Sequence, residues 1–363
     1  MREETLGLRV IPKKGMLTLQ MAIRRISYID VAKGLLILFV VFYHNCLSAF
    51  YVSQGHNEIT NVLRVVQYYM CAPFFMAAFF MLTGYCSNFN KPLKTFLQSL
   101  IMTLGAPLFF FDIVPYNLEA FLTMPFKEWI IQVPLSLQRF VRYSLWFLRA
   151  LFMAKLLYWI INRYFKEKMK FMICIILFIF ASSFVLLGYG EHGMHTLFAL
   201  FFIGIGEKCK KYELFEKKHI GIYTFFLYML ITIVQLYFHR NSPYMTDVIF
   251  FYDVFDVILY PLLAISGSLS VICLAKFINT NKALEFLGKY SLVIYCFHML
   301  PYAAFLFGLL LNIIGFEVDL MNADGIKTII YLTSKFIFTV CLCCILAFIL
   351  DRPYLRITIG KKI

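Results

Sequence analysis

Charge is scarce in this sequence. Only 15% of its 363 residues are Asp, Glu, Lys or Arg, with 20 acidic against 34 basic. Soluble domains are about one-quarter charged, so a water-soluble globular protein is excluded. The 10 cysteines (Cys46, Cys71, Cys86, Cys174, Cys209, Cys273, Cys296, Cys341, Cys343 and Cys344) include no Cys-x-x-Cys and no metal-like spacing. Nearly all of them fall in apolar runs, where Cys acts as a small hydrophobe. A zinc site and a disulfide framework are therefore excluded, and no metal is expected. Strict apolar–polar alternation is missing too, which excludes a membrane β-barrel. There is no internal repeat, no stretch suited to a separate soluble domain, and no signal-peptide layout with a small-residue cleavage site.

What the chain has is apolar length: 61% hydrophobic residues, a mean hydropathy of +0.78, and blocks such as "FMICIILFIFASSFVLLG". A spanning helix needs about 20 apolar residues, and a helix satisfies its own backbone in lipid. Ten such segments are expected, at 31–50, 65–84, 96–115, 144–162, 171–188, 192–206, 219–238, 254–275, 290–312 and 327–350. The fold class is all-α, a polytopic helical bundle. Residues 1–23 read as a disordered cytoplasmic extension, 24–355 as the membrane domain and 356–363 as a basic tail. Within the extension, "MAIRRISYID" would also serve as a start. Segments five and six, joined by "GYGEHG", should form a tight hairpin. The stretch 116–143, rich in Pro and aromatics, reads as an interfacial or re-entrant lid.

Net charge is +14, but its distribution argues for a bilayer rather than nucleic acid. With the N-terminus inside, 24 Lys and Arg fall in inner segments, six in outer segments and four within spans. That bias places both termini in the cytoplasm, and the cell's inner membrane is the expected location.

Ionisable residues inside spans are costly and ask for a function. In "YIDVAKGLLILFVVFYHNC", Lys33 and His44 are eleven residues apart, or three turns plus about 20°. They share a face, about 16 Å apart along the axis. Asp30 follows Ser27 by three, as in a capping box, and can pair with Lys33; cap and participant both remain open. Arg149, in "SLWFLRALFMAKLLYW", sits near the depth of His44, either as a charge partner or as a snorkel to the interface. Ser291, Tyr295 and His298 form one polar stripe on the ninth span. Asp112 and Asp256 lie near outer helix ends, as interfacial groups or as partners orienting His44.

These residues resemble acyltransferase family 3, the integral-membrane acyltransferases that modify cell-surface sugars. Lys33 and His44 match its basic-x10-His spacing, with Lys where Arg is usual. Trp146, Phe147 and Leu148 resemble its WFL-type motif, and "YSLVIYCFH" its late Ser–Tyr–His signature. Lys91 and Lys94 stand where the family tends to carry a basic pair. The likeness covers about residues 24 to 355. It implies acyl transfer, most often acetyl, from cytoplasmic acyl-CoA to a hydroxyl of a lipid-linked or surface glycan. His44 would then be the general base, and Arg149 would stabilise developing charge. Lys33, Lys91 and Lys94 would hold the donor's phosphates. The alternative is a transporter or flippase of glycan-related solutes; an outer-leaflet polymerase would need a larger Arg-rich loop. The acyl group, the sugar and any homo-oligomer are left open.

Overall fold

The computed structural model describes residues 13–114, 125–128, 130–131, 145–189, 193–217, 219–238, 254–299 and 301–361. Among these the chain is helical throughout, with no strand. The helices are α1 (Lys13–Val52), α2 (Glu58–Met70), α3 (Ala72–Cys86) and α4 (Leu93–Ile113). They continue with α5 (Trp146–Tyr164), α6 (Glu167–Leu186), α7 (Met194–Lys211), α8 (Ile220–Phe238) and α9 (Val254–Ile278). The last are α10 (Lys282–Lys289), α11 (Ser291–Phe297), α12 (Pro301–Ile314) and α13 (Gly325–Leu350).

Seven helices among the described residues are long and apolar enough to cross a membrane, against ten expected segments. The other three segments are also helical, and each departs for a physical reason. Helix α5 carries Arg149, Lys155 and Arg163, and α7 ends in Glu207, Lys208, Lys210 and Lys211. The ninth segment is broken between α11 and α12. Most of the expected lid at 116–143, and residues 190–192 of "GYGEHG", lie outside the described residues.

Helix α1 runs unbroken from Lys13, so Asp30 sits in mid-helix and is no cap. Ser27 instead donates to Glu285 Oε1 at 2.5 Å, and Asp30 accepts from Lys33 at 3.1 Å. Asn57 caps α2, accepting the N–H groups of Ile59 and Thr60, and Asp324 caps α13 through the Lys327 N–H; both are preferred N-cap residues.

Helix α1 is the hub, packed against α2, α3, α9, α10, α11 and α13. Its contact with α10 is backbone on backbone. A Cβ on Gly34 would stand 2.1 Å from Leu284 O, and one on Gly288 1.8 Å from Asp30 O. Small residues are what allow membrane helices so close an approach.

At the basic end of the bundle, Glu207 of α7 accepts from Tyr158 of α5 at 2.6 Å and from Lys170 of α6 at 2.5 Å. At the same end Asp351 gathers the tail. It accepts from the Tyr290 hydroxyl, from Lys361 at 3.0 Å, and pairs with Arg356 at 3.2 Å. Burial alone would raise this carboxyl, but the Tyr290 hydroxyl and Lys361 outweigh it and hold it down to about 2. Residues 356–361 therefore fold back, and Gly360 lies against Thr103 O of α4.

Gly288→Val should force α10 off α1 at a cost of about 1–3 kcal/mol. Thermal unfolding in detergent should show a lowered midpoint, while Gly308→Val, with nothing within 4 Å of the added carbon, should leave it unmoved.

Candidate active site

Where the ninth segment breaks, it does so at a histidine. Helix α11 ends at Phe297, and α12 begins at Pro301, which cannot donate a backbone bond. Irregular backbone at membrane depth is tolerated only inside protein or along a cavity. Here His298 is buried at the break, 7% exposed.

Its ring is oriented by backbone. His298 Nδ1 lies 2.8 Å from Tyr295 O and 3.1 Å from Ile294 O. Carbonyl oxygens only accept, so Nδ1 carries the proton and Nε2 has the lone pair. That Nε2 stands 3.1 Å from His44 Nδ1. His44 Nδ1 is also 2.8 Å from Val40 O, so it too is protonated and donates to both. The tautomer follows: His44 Nε2 bears a free lone pair. The two rings meet edge to face at 4.8 Å. The side chain of Gln67, fully buried, donates to Tyr43 O beside this turn of α1.

Around the pair stands a second layer. Tyr295 OH accepts the Phe147 N–H at 3.2 Å, tying the start of α5 to α11. One residue before it, Trp146 lies against His195 of α7, ring centroids 4.5 Å apart. Arg149 is 6% exposed, with Nε 4.0 Å from Asp112 Oδ2. The arginine is thus held inside by a carboxylate rather than snorkelling, and it also feels Tyr295 and His195. Asp112 faces Arg149, and the protonated nitrogen of His44 faces Val40 and His298, so among the described residues no aspartate bonds that ring. Asp256 is fully buried on α9 with Tyr69 in electrostatic reach. Ser291 opens α11 at the far end of the stripe.

At the basic end, Lys33 is half-buried and paired with Asp30. Around Cys86, at the end of α3, the charges of Lys33, Lys155 and Lys210 converge, and Lys91 lies in reach of Lys155. Trp159 Nε1 donates to Lys91 O at 2.9 Å, fixing that turn. Lys91 and Lys94 are both exposed. Lys155, Lys210 and His195 were not singled out by the sequence. A lysine inside a span was the visible signal for Lys155; for His195, at a helix start, there was none.

A basic group and a histidine on one face of α1, a second histidine bonded to it from α11, and the Trp146–Leu148 turn beside them make one constellation. The family model described as "Acyltransferase domain" matches residues 26–348, nearly the whole chain. The chain belongs to this acyltransferase family. No curated protein and no solved structure matches it. The acyltransferase is a membrane protein of many apolar helices, and among its described residues no group of three His, Cys, Asp or Glu could hold a metal ion.

Removing either histidine of the acyltransferase should lower the transfer rate by about 10²–10⁴. In a double-mutant cycle, His44→Ala with His298→Phe should be scarcely slower than either alone, as for groups acting as a unit. Multiplying effects would separate the two.

Proposed function

We propose that this acyltransferase moves an acyl group, most simply acetyl, from cytoplasmic acyl-CoA to a hydroxyl of a cell-surface or lipid-linked glycan. The observation that carries the reading is the free lone pair on His44 Nε2, fixed by proton donation from Nδ1 to Val40 O and His298. Such a nitrogen can take the proton of an acceptor hydroxyl.

The step balances as follows. The hydroxyl oxygen bonds to the thioester carbonyl carbon as its proton passes to His44 Nε2. The tetrahedral intermediate collapses, the C–S bond breaks, and the thiolate takes the proton back from the imidazolium. His298 Nε2, accepting from His44 Nδ1, favours the cationic ring without becoming charged. The Arg149–Asp112 pair and the Tyr295 hydroxyl stand close enough together to act on developing oxyanion charge, which is where fixed dipoles and cations count most.

Donor and acceptor are served from opposite ends. With the basic end inside, as the positive-inside bias supports, Lys33, Lys155, Lys210 and Lys91 would meet the CoA phosphates. The face from Lys33 to His44, about 16 Å long, would take the extended pantetheine arm. Lys94, exposed beside this group, would add charge at its rim. That orientation would put both termini in the cytoplasm and would suit an inner membrane.

Mass spectrometry of surface glycans should show an acyl modification in wild-type cells that disappears with His44→Ala. Identical glycans in wild-type, variant and gene-deleted cells would overturn the reading. Acetyl-CoA binding to purified protein should weaken with Lys91→Ala and Lys155→Ala, and the wild-type affinity should fall as salt rises. Salt-independent binding, unchanged in both variants, would remove the lysines from the donor site.

A further inference from the structure

One buried charge is used by none of these steps. Lys335 lies ten residues into α13, about 15 Å from its Gly325 end, and is only 9% exposed. Its Nζ donates to Ser48 Oγ at 3.1 Å and sits 6.0 Å from the centre of the Tyr331 ring. No carboxylate among the described residues pairs with it, so two of its three N–H groups have no hydrogen-bond acceptor there. A buried ammonium without a counter-ion is costly. The protein tolerates this one against Ser48, one turn of α1 from His44.

The placement is what gives it meaning. Ser48 follows His44 by one turn on the same face of α1, about 6 Å further from Lys33. Ser48 is exposed and His44 half-buried. Tyr331 also lines a cavity of about 750 Å³, together with Asn312, Glu317, Asn322 and Lys327. Planar amides, a carboxylate and an aromatic face are the groups that bind sugar hydroxyls and ring faces. Its wall is anchored to the start of α2, where Asn57 donates to Ala323 O and Thr328 Oγ1, and to α1, where Leu320 packs with Ala49 and Leu332. Asp319 is turned onto its own loop, accepting from Met321 N and Asn322 Nδ2.

We propose that Lys335, with Ser48, forms an anion subsite for the acceptor: the glycan bears an acidic group, a carboxylate or phosphate, that seats on the Lys335 ammonium while a neighbouring hydroxyl reaches His44 Nε2. This rests on the acyl-transfer reading above and adds the chemical class of acceptor. The donor's phosphates belong to the Lys33 end, so they do not compete for Lys335.

The test uses full-length protein in nanodiscs and three matched oligosaccharides: one containing glucuronic acid, its carboxyl-reduced neutral counterpart, and one bearing a phosphodiester. Wild type should bind at least one acidic probe about tenfold or more tighter than the neutral one, the worth of a charge-assisted hydrogen bond; which acidic probe wins identifies the anion. Lys335→Met should abolish that preference, Lys335→Arg should retain most of it, and acetyl-CoA affinity should be unchanged in both, which also reports intact folding. Equal binding of acidic and neutral probes by wild type, or a preference that survives Lys335→Met, would overturn the proposal. Acetyl transfer to the neutral probe that is lost in His44→Ala separates that failure from failure of the acyltransfer reading itself.

Discussion

The hydrogen bond between His44 and His298 holds the arrangement together, and it depends on a broken helix. An intact helix would have committed the Tyr295 carbonyl to the N–H of Met299, while Ile294 O still accepts the His298 N–H at 2.9 Å. The chain ends α11 at Phe297 instead, and the His298 ring takes up both carbonyls as acceptors. That fixes one tautomer without any carboxylate. A carboxylate in this position would need burial in hydrocarbon, with its own desolvation cost. Backbone dipoles do the orienting and add no net charge to the membrane.

The pair must also be held at bonding distance across two helices, which is a problem of packing. Gly34 and Gly288 let the α10 backbone rest on that of α1, and Asn281, capping α10, leads directly into it. Because α10 and α11 are separated by one residue, the docking of α10 sets where α11 begins and so where His298 arrives. At the other end of α11, Tyr295 receives the Phe147 N–H, so α5 brings Trp146 and Arg149 into the same frame. The tail contributes through Asp351, whose partner Tyr290 sits between α10 and α11.

Much of this was legible in the sequence because hydrocarbon makes polar residues conspicuous. Lys33, His44, Arg149 and His298 stood out as ionisable groups in apolar runs, and the eleven-residue step put Lys33 and His44 on one face. The helical class followed from length and hydropathy. What the sequence hid was pairing between helices. Nothing in the spacing of Ser291, Tyr295 and His298 shows that a helix stops at the last of them, or that its ring reaches α1. Asp30 looked like a cap because Ser27 precedes it, yet α1 continues through both; local cap signals are outweighed where a longer helix is packed on its neighbours. Asp112 was readable as a partner for His44 or as an interfacial group, but only the fold shows that it faces Arg149. Lys335 was visible as a charge within a span, and its significance needed the position of Ser48.

The distribution of cations along α1 gives the two ends different work. Lys33 is paired with Asp30 and stands among other lysines, so any anion it binds is shared with neighbours and screened at a half-open surface. Lys335 is buried, held by a hydroxyl and, among the described residues, paired with no carboxylate, so an anion reaching it would meet one strong, poorly screened contact. The first arrangement suits a ligand with several phosphates at the membrane surface. The second suits a single acidic group that must be placed accurately with respect to His44. Between Lys33 and His44 α1 presents about three helical turns of apolar and aromatic side chains, broken only by Gly34, so a charged ligand from the Lys33 end stops at its own cations. The histidine pair lies where the two approaches would meet.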